Sequence, residues 1–181
     1  MFADFVRFEF PHQKINVAGI SYGGALAWGL ALRHPELVKK TVFINPMPPN
    51  PMQFFNIPVL KSFFSMPLNV RSIYMILRTP LGRFFLKRIT EVFRMERADL
   101  MERLDGLHGR KLLFVCHVIY KFGWILKNEN WHLWKLRLET WTHPSLLIFD
   151  EEDSLFARKT YLKFQDIIGC DETHRLHDAG H

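Results

Sequence analysis

The chain is poor in cysteine, with only Cys116 and Cys170 in 181 residues. Two thiols do not make a disulfide framework, so a reducing, cytoplasmic location is the expectation. Long apolar runs are also lacking. The most apolar stretch, 112–126, is broken by His117 and Lys121. It falls short of the roughly 20 apolar residues of a membrane helix, and no transmembrane segment is expected. The opening MFADFVRFEF carries Asp4, Arg7 and Glu9 and has no apolar h-region, which excludes a signal peptide reading. There is no internal repeat, no low-complexity tract and no recognised nucleic-acid motif. The net charge of +6 is therefore read as a basic surface, and no nucleic-acid partner is expected.

What is present suits a buried core: 48% of residues are hydrophobic and 14% aromatic. Residues 2–10 fit the end of an amphipathic helix, and 11–13 break it. Residues 15–20 form a short apolar run closed by Gly19-Ile20-Ser21, compatible with a buried strand. Residues 22–33 have helical composition, and His34-Pro35 ends the helix because proline disfavours helical geometry at the residue before it. Residues 38–44 read as a second strand, stopped by Asn45-Pro46. Strand, helix and strand with short links make a βαβ unit, the building block of parallel α/β sheets.

Residues 47–142 differ. They carry 15 Lys and Arg against 7 Asp and Glu, so the rest of the chain is slightly acidic. The segment reads as an inserted module of several helices. Its aromatic residues, among them Phe54, Phe55, Phe63, Phe64, Trp124, Trp131 and Trp134, fit either a packed interior or an apolar pocket. Basic residues Arg83, Lys87, Arg88, Arg94 and Arg97 fall partly at helical spacing and read as a solvated face, with phosphate or anionic lipid as the alternative. The strand pattern returns at 144–149, followed by Asp150-Glu151-Glu152-Asp153 and a helix over 157–168.

Gly19-x-Ser21-x-Gly23 between a strand and a helix is the nucleophile-elbow pattern. A serine on a sharp strand-to-helix turn needs tiny neighbours, which Gly19, Gly23 and Gly24 supply. The amide of Tyr22, at the helix N-terminus, is placed to stabilise an oxyanion. A P-loop requires Gly-Lys-Ser/Thr, yet Gly24 is followed by Ala25. A dinucleotide fingerprint requires Gly-x-Gly-x-x-Gly and an acid at the end of the next strand, which here ends in Asn45. A nucleophilic serine also needs an orienting acid and a base, and Asp153 and His181 follow it in that order.

With "GISYGGALAWGLALRHPELVKKTVFINP", "PSLLIFDEEDSLF" and "HDAGH", the chain resembles the α/β-hydrolase fold family in its capped, lipase- and esterase-like branch. The resemblance covers about 12–46 and 143–181. It implies Ser21 as nucleophile, Asp153 as acid and His181 as base. It also implies an α/β fold: a partial hydrolase core over 1–46 and 143–181, with a helical cap inserted at 47–142. The family's acid loop reads Gly-x-x-Asp, and here Asp150 takes the glycine position. Serine at the elbow separates the chain from the dehalogenase and epoxide hydrolase branches, which place aspartate there. The family's early strands, and the His-Gly loop that supplies a second oxyanion amide, have no counterpart. A chain truncated at both ends is the expectation, open along its first strand to missing strands or another chain.

Two functions are carried forward. One is a serine hydrolase acting on a small apolar ester or related acyl substrate, with no cofactor. The other is a catalytically impaired, hydrolase-like chain that binds an apolar ligand or a membrane surface. Cys170, His174, His177 and His181 have metal-ligating residue types, but their spacing matches no standard zinc pattern, and no metal is expected.

Overall fold

The computed structural model describes residues 2–53, 58–84, 106, 109–170 and 172–179. Phe54, Phe55, Lys87, Arg88, Arg94, Arg97 and His181 lie outside them. Among the described residues four strands form one sheet: β1 (Ile15–Ile20), β2 (Val38–Ile44), β3 (Ser145–Asp150) and β4 (Glu172–Leu176). They lie side by side in the order β1-β2-β3-β4, and every neighbouring pair is parallel. Parallel neighbours need long crossovers, and helices supply them. Helix α1 (Phe2–Glu9) precedes the sheet, α2 (Tyr22–Arg33) joins β1 to β2, and α7 (Arg158–Ile168) joins β3 to β4. Between β2 and β3 come a 3₁₀ turn (Pro51–Gln53), α3 (Pro58–Ser65), α4 (Val70–Leu77), α5 (Gly109–Asn128) and α6 (Trp131–Leu138). Among the described residues this insertion is helical and contains no strand.

The sheet is covered on one face. Phe43 pairs with Leu147 in register, and with Phe149 they enter a buried cluster with Trp28 of α2, Trp134 and Leu138 of α6, and Tyr161 and Phe164 of α7. Ring pairs tie the layers together: Trp28 with Trp134 at 5.2 Å, and Phe43 with Phe164 at 5.4 Å, both edge-on. Such pairs contribute about 0.5–1.5 kcal/mol each beyond the area they bury. The opposite face carries Ile20, Ile44 and Ile148 in one register row, with Ile20 exposed and the other two half-buried. A second cluster (Ala3 and Val6 of α1 with Leu30 and Ala31 of α2) fastens the first helix to the second. The insertion has its own small core of Phe63, Ile73, Leu77, Leu112 and Cys116.

Strand β4 is the element that periodicity does not disclose. Its sequence, Glu-Thr-His-Arg-Leu, holds one apolar residue and is mostly exposed. Pairing with β3 makes it a strand, as expected for a sheet edge that needs no apolar alternation.

The carboxyl edge of the sheet is pinned by Asn45. This residue is buried with φ +40°, a left-handed conformation that asparagine tolerates better than most side chains. Its amide donates to the Ile148 carbonyl at 2.9 Å, and its Oδ1 accepts the Asp150 amide at 2.8 Å. At the other end, the Thr41 and Ser145 hydroxyls bond at 2.8 Å. Asn45→Ala leaves the Asp150 amide without its side-chain partner. The expected cost is about 1–3 kcal/mol, measured as a lower urea midpoint with an unchanged m-value.

Candidate active site

Ser21 sits between β1 and α2 with φ +51° and ψ −119°. A non-glycine residue there costs roughly 1–3 kcal/mol and persists only when its surroundings over-determine it. They do so here. The Ser21 amide donates to the Ile44 carbonyl at 3.0 Å. The Ser21 carbonyl accepts from Gly24 at 3.0 Å, from Ala25 at 3.4 Å and from Met47 at 2.9 Å. A Cβ on Gly19 would lie 2.2 Å from the Gly23 carbonyl oxygen, and one on Gly24 would lie 2.8 Å from the Pro46 Cβ. Both glycines are therefore demanded by close approach. Gly23 is not: a Cβ there meets nothing within 4 Å. Its part in the turn is its backbone, against which Gly19 packs.

Tyr22 opens α2, so its amide has no intrahelical carbonyl to bond and stands at the positive end of the helix dipole. Its ring meets Phe122 of α5 edge-on at 5.8 Å, and Phe122 meets Phe64 of α3 at 5.5 Å. The inserted helices thus reach the residue next to Ser21.

Asp153 lies on the loop after β3 and is 4% exposed. Its Oδ1 accepts the Leu155 amide at 2.6 Å and the Phe156 amide at 3.1 Å, and its Oδ2 accepts the Tyr161 hydroxyl. Burial, and after it the negative charge of Asp153, push the Tyr161 phenol far above its ordinary value of 10.0. The phenol therefore stays protonated and remains a donor. Tyr161 was not among the residues singled out from sequence. The available signal is its place on the buried face of α7 with Phe164 and Ile168, where a tyrosine needs a hydrogen-bond partner.

Ser21 follows β1 and Asp153 follows β3 at the same, carboxyl edge of the sheet, where the two strands are separated by β2, two strand spacings or about 10 Å. β4 runs parallel to them, so the segment after Leu176 leaves from that edge as well. His181 lies beyond it, outside the described residues. The loop after β3 meets this segment at Glu151, whose carboxylate lies 3.9 Å from His177, and also 3.7 Å from Arg175 of β4 and 3.2 Å from Arg158 of α7.

Two clefts stand apart from the serine. One, of about 610 Å³, runs between the 3₁₀ turn, α6 and α7 and includes Trp131, Lys135 and Lys163. The other, of about 280 Å³, lies among α3, α4 and α5 and is lined by Phe63, Phe64 and Trp124, among others. Neither includes Ser21 or Asp153. Trp134 packs in the core beneath Arg33, whose guanidinium lies 4.6 Å from the ring centre. No group of three or more metal-ligating side chains occurs among the described residues. Nor is any described helix long and apolar enough to cross a membrane.

A parallel sheet that presents a strained serine and a buried aspartate along one edge has the frame of an α/β hydrolase. The chain belongs to the alpha/beta hydrolase fold family, whose model matches residues 1–181. No curated protein matches its sequence significantly. Among solved structures it is similar to the haloalkane dehalogenase DbeA from Bradyrhizobium elkani USDA94, with TM-score 0.66 and 18% identity over 99% of this chain and 64% of that one. It is also similar to Est816, described as an N-acyl homoserine lactone degrading enzyme, with TM-score 0.61 and 19% identity over 99% of this chain and 65% of that one. A third is a meta-cleavage product hydrolase from Pseudomonas fluorescens IP01, with TM-score 0.54 and 15% identity over 99% of this chain and 62% of that one. The chain spans less than two thirds of the length of each of these structures.

The two kinds of glycine separate in stability. Gly19→Ala drives a Cβ into the Gly23 carbonyl and is expected to cost about 3 kcal/mol. Gly23→Ala enters open space at the start of a helix and is expected to change stability by no more than about 1 kcal/mol. Denaturant midpoints of the two variants measure the contrast.

Proposed function

We propose that this chain is a serine hydrolase cleaving an ester or related acyl bond, with Ser21 as nucleophile, His181 as base and Asp153 as orienting acid. The observation that carries the reading is the Ser21 backbone, held at φ +51° and ψ −119° at the carboxyl edge of a parallel sheet. Strain of this kind persists where a side chain must be presented at a fixed angle. In the proposed reaction, the Ser21 Oγ attacks the acyl carbonyl carbon while its proton passes to His181. The Tyr22 amide stabilises the resulting oxyanion. Collapse breaks the bond to the leaving alcohol, which takes the proton from His181 and leaves an acyl-serine. Water then gives a proton to His181 and attacks the acyl carbonyl. Collapse returns that proton to the Ser21 oxygen and frees the acid.

The neighbours named as dehalogenase, lactone-degrading enzyme and meta-cleavage product hydrolase share the fold, and one fold hosts many chemistries. Serine at the elbow favours acyl transfer to a hydroxyl nucleophile over carboxylate displacement chemistry. The helices of 47–142 act in this reading as a cap over the serine, supported by the Tyr22–Phe122 contact. α6 belongs to the sheet's core, because Trp134 and Leu138 are buried with Phe43 and Trp28. The two-cysteine composition supports a cytoplasmic location. The second reading, an apolar-ligand or membrane-surface binder with impaired catalysis, is favoured by the two clefts that stand apart from Ser21.

A fluorophosphonate probe separates the two. The folded wild-type chain is expected to label, and Ser21→Ala to lose the label, with ester hydrolysis falling by about 10⁴-fold or more. A folded wild type that does not label removes the enzyme reading. Salt-sensitive co-sedimentation with anionic liposomes then favours the second.

A further inference from the structure

We propose that Tyr161 is a positioning residue for the acid of the reaction, acting through Asp153. This inference rests on the serine hydrolase reading. Asp153 is a buried carboxylate whose Oδ1 is held by the amides of Leu155 and Phe156, two and three residues ahead on its own loop. Those bonds move with the loop. The bond to Oδ2 comes from outside it, from the first turns of α7. The Tyr161 ring is fully buried and stacked on Phe149 of β3, with centroids 5.0 Å apart and planes 23° from parallel. The hydroxyl is thus referred to the sheet itself, one residue before Asp150, where the acid loop begins.

A carboxylate oxygen accepts more than one hydrogen bond. The Tyr161 proton takes one acceptor direction of Oδ2 and two amides crowd Oδ1, so these three donors limit how the carboxylate can turn toward an imidazole N–H. Tyr161 therefore fixes both the plane of the Asp153 carboxylate and the direction from which a histidine is received. It does so without gaining or losing a proton. In a triad the acid holds the imidazole in the tautomer and orientation that accept the serine proton. A carboxylate free to turn about its Cα–Cβ and Cβ–Cγ bonds does this less well. The effect falls on the chemical step and leaves substrate binding alone.

The test is a kcat-against-KM comparison on a p-nitrophenyl ester with the 181-residue chain, in wild type, Tyr161→Phe, Asp153→Asn and the double variant. Tyr161→Phe keeps the ring on Phe149 and removes only the hydroxyl. It is expected to lower kcat by about tenfold to hundredfold, the range of a hydrogen bond to a charged group, with KM within twofold. If Tyr161 acts through Asp153, its removal costs nothing further in the Asp153→Asn background. A kcat within twofold of wild type overturns the proposal, and so does a loss that multiplies fully with Asp153→Asn. If Tyr161→Phe does not fold, 3-fluorotyrosine at position 161 keeps the shape and strengthens the donor. A change of twofold or more in kcat then supports the proposal, and an unchanged kcat overturns it. The wild-type arm separates the two levels. A wild type whose hydrolysis does not exceed that of Ser21→Ala, run alongside, overturns the hydrolase reading and this assignment together. An active wild type with an indistinguishable Tyr161→Phe overturns this assignment alone.

Discussion

The Ser21 carbonyl accepts from Gly24 and Ala25 in α2 and from Met47 beyond β2, while the Ser21 amide donates to Ile44 at the end of β2. One peptide segment therefore fixes the end of β1, the start of α2 and the exit of β2. The strained backbone of Ser21 is held by this convergence, and the absence of side chains at Gly19 and Gly24 makes the convergence sterically possible. The second crossing repeats the device with a side chain. Asn45 accepts the Asp150 amide and locks β2 to β3 just where the loop bearing Asp153 departs. The site's geometry is thus set by hydrogen bonds along the sheet edge, from backbone and from Asn45, passed from strand to strand.

Much of this frame was legible in sequence. β1, α2 and β2 were read at 15–20, 22–33 and 38–44, because glycine, serine and His34-Pro35 punctuate apolar runs of the right length. β3 and α7 were each read within one residue of their observed ends, 144–149 against Ser145–Asp150 and 157–168 against Arg158–Ile168. β4 was not read, because an exposed edge strand with Thr, His and Arg carries no apolar period and becomes a strand only by pairing. The inserted helices were legible as a class but not one by one. Their aromatic residues serve several cores at once: Phe63 belongs to the insertion and Trp134 to the sheet.

The candidate site divides in the same way. The serine and its turn announce themselves in a short motif, because strain and close approach restrict residue type. Asp153 was singled out by its place after a strand, and its part as the acid belongs to the proposed function. What surrounds Asp153 was not legible, since a hydroxyl eight residues away meets it only after α7 docks on β3. Gly23 is the opposite case. It completes the motif, yet its Cβ position is open. A motif records which backbones must pass close together and does not assign the steric need to each of its glycines.

The sheet's isoleucine row bears on the thermodynamics of the chain. Ile20 stays more than half exposed in the folded state, beside partly wetted Ile44 and Ile148. Apolar surface already in contact with water before unfolding adds nothing to the heat-capacity increment when the chain opens. That face therefore works to flatten the stability curve, so that stability varies less with temperature than it would with the same row fully enclosed.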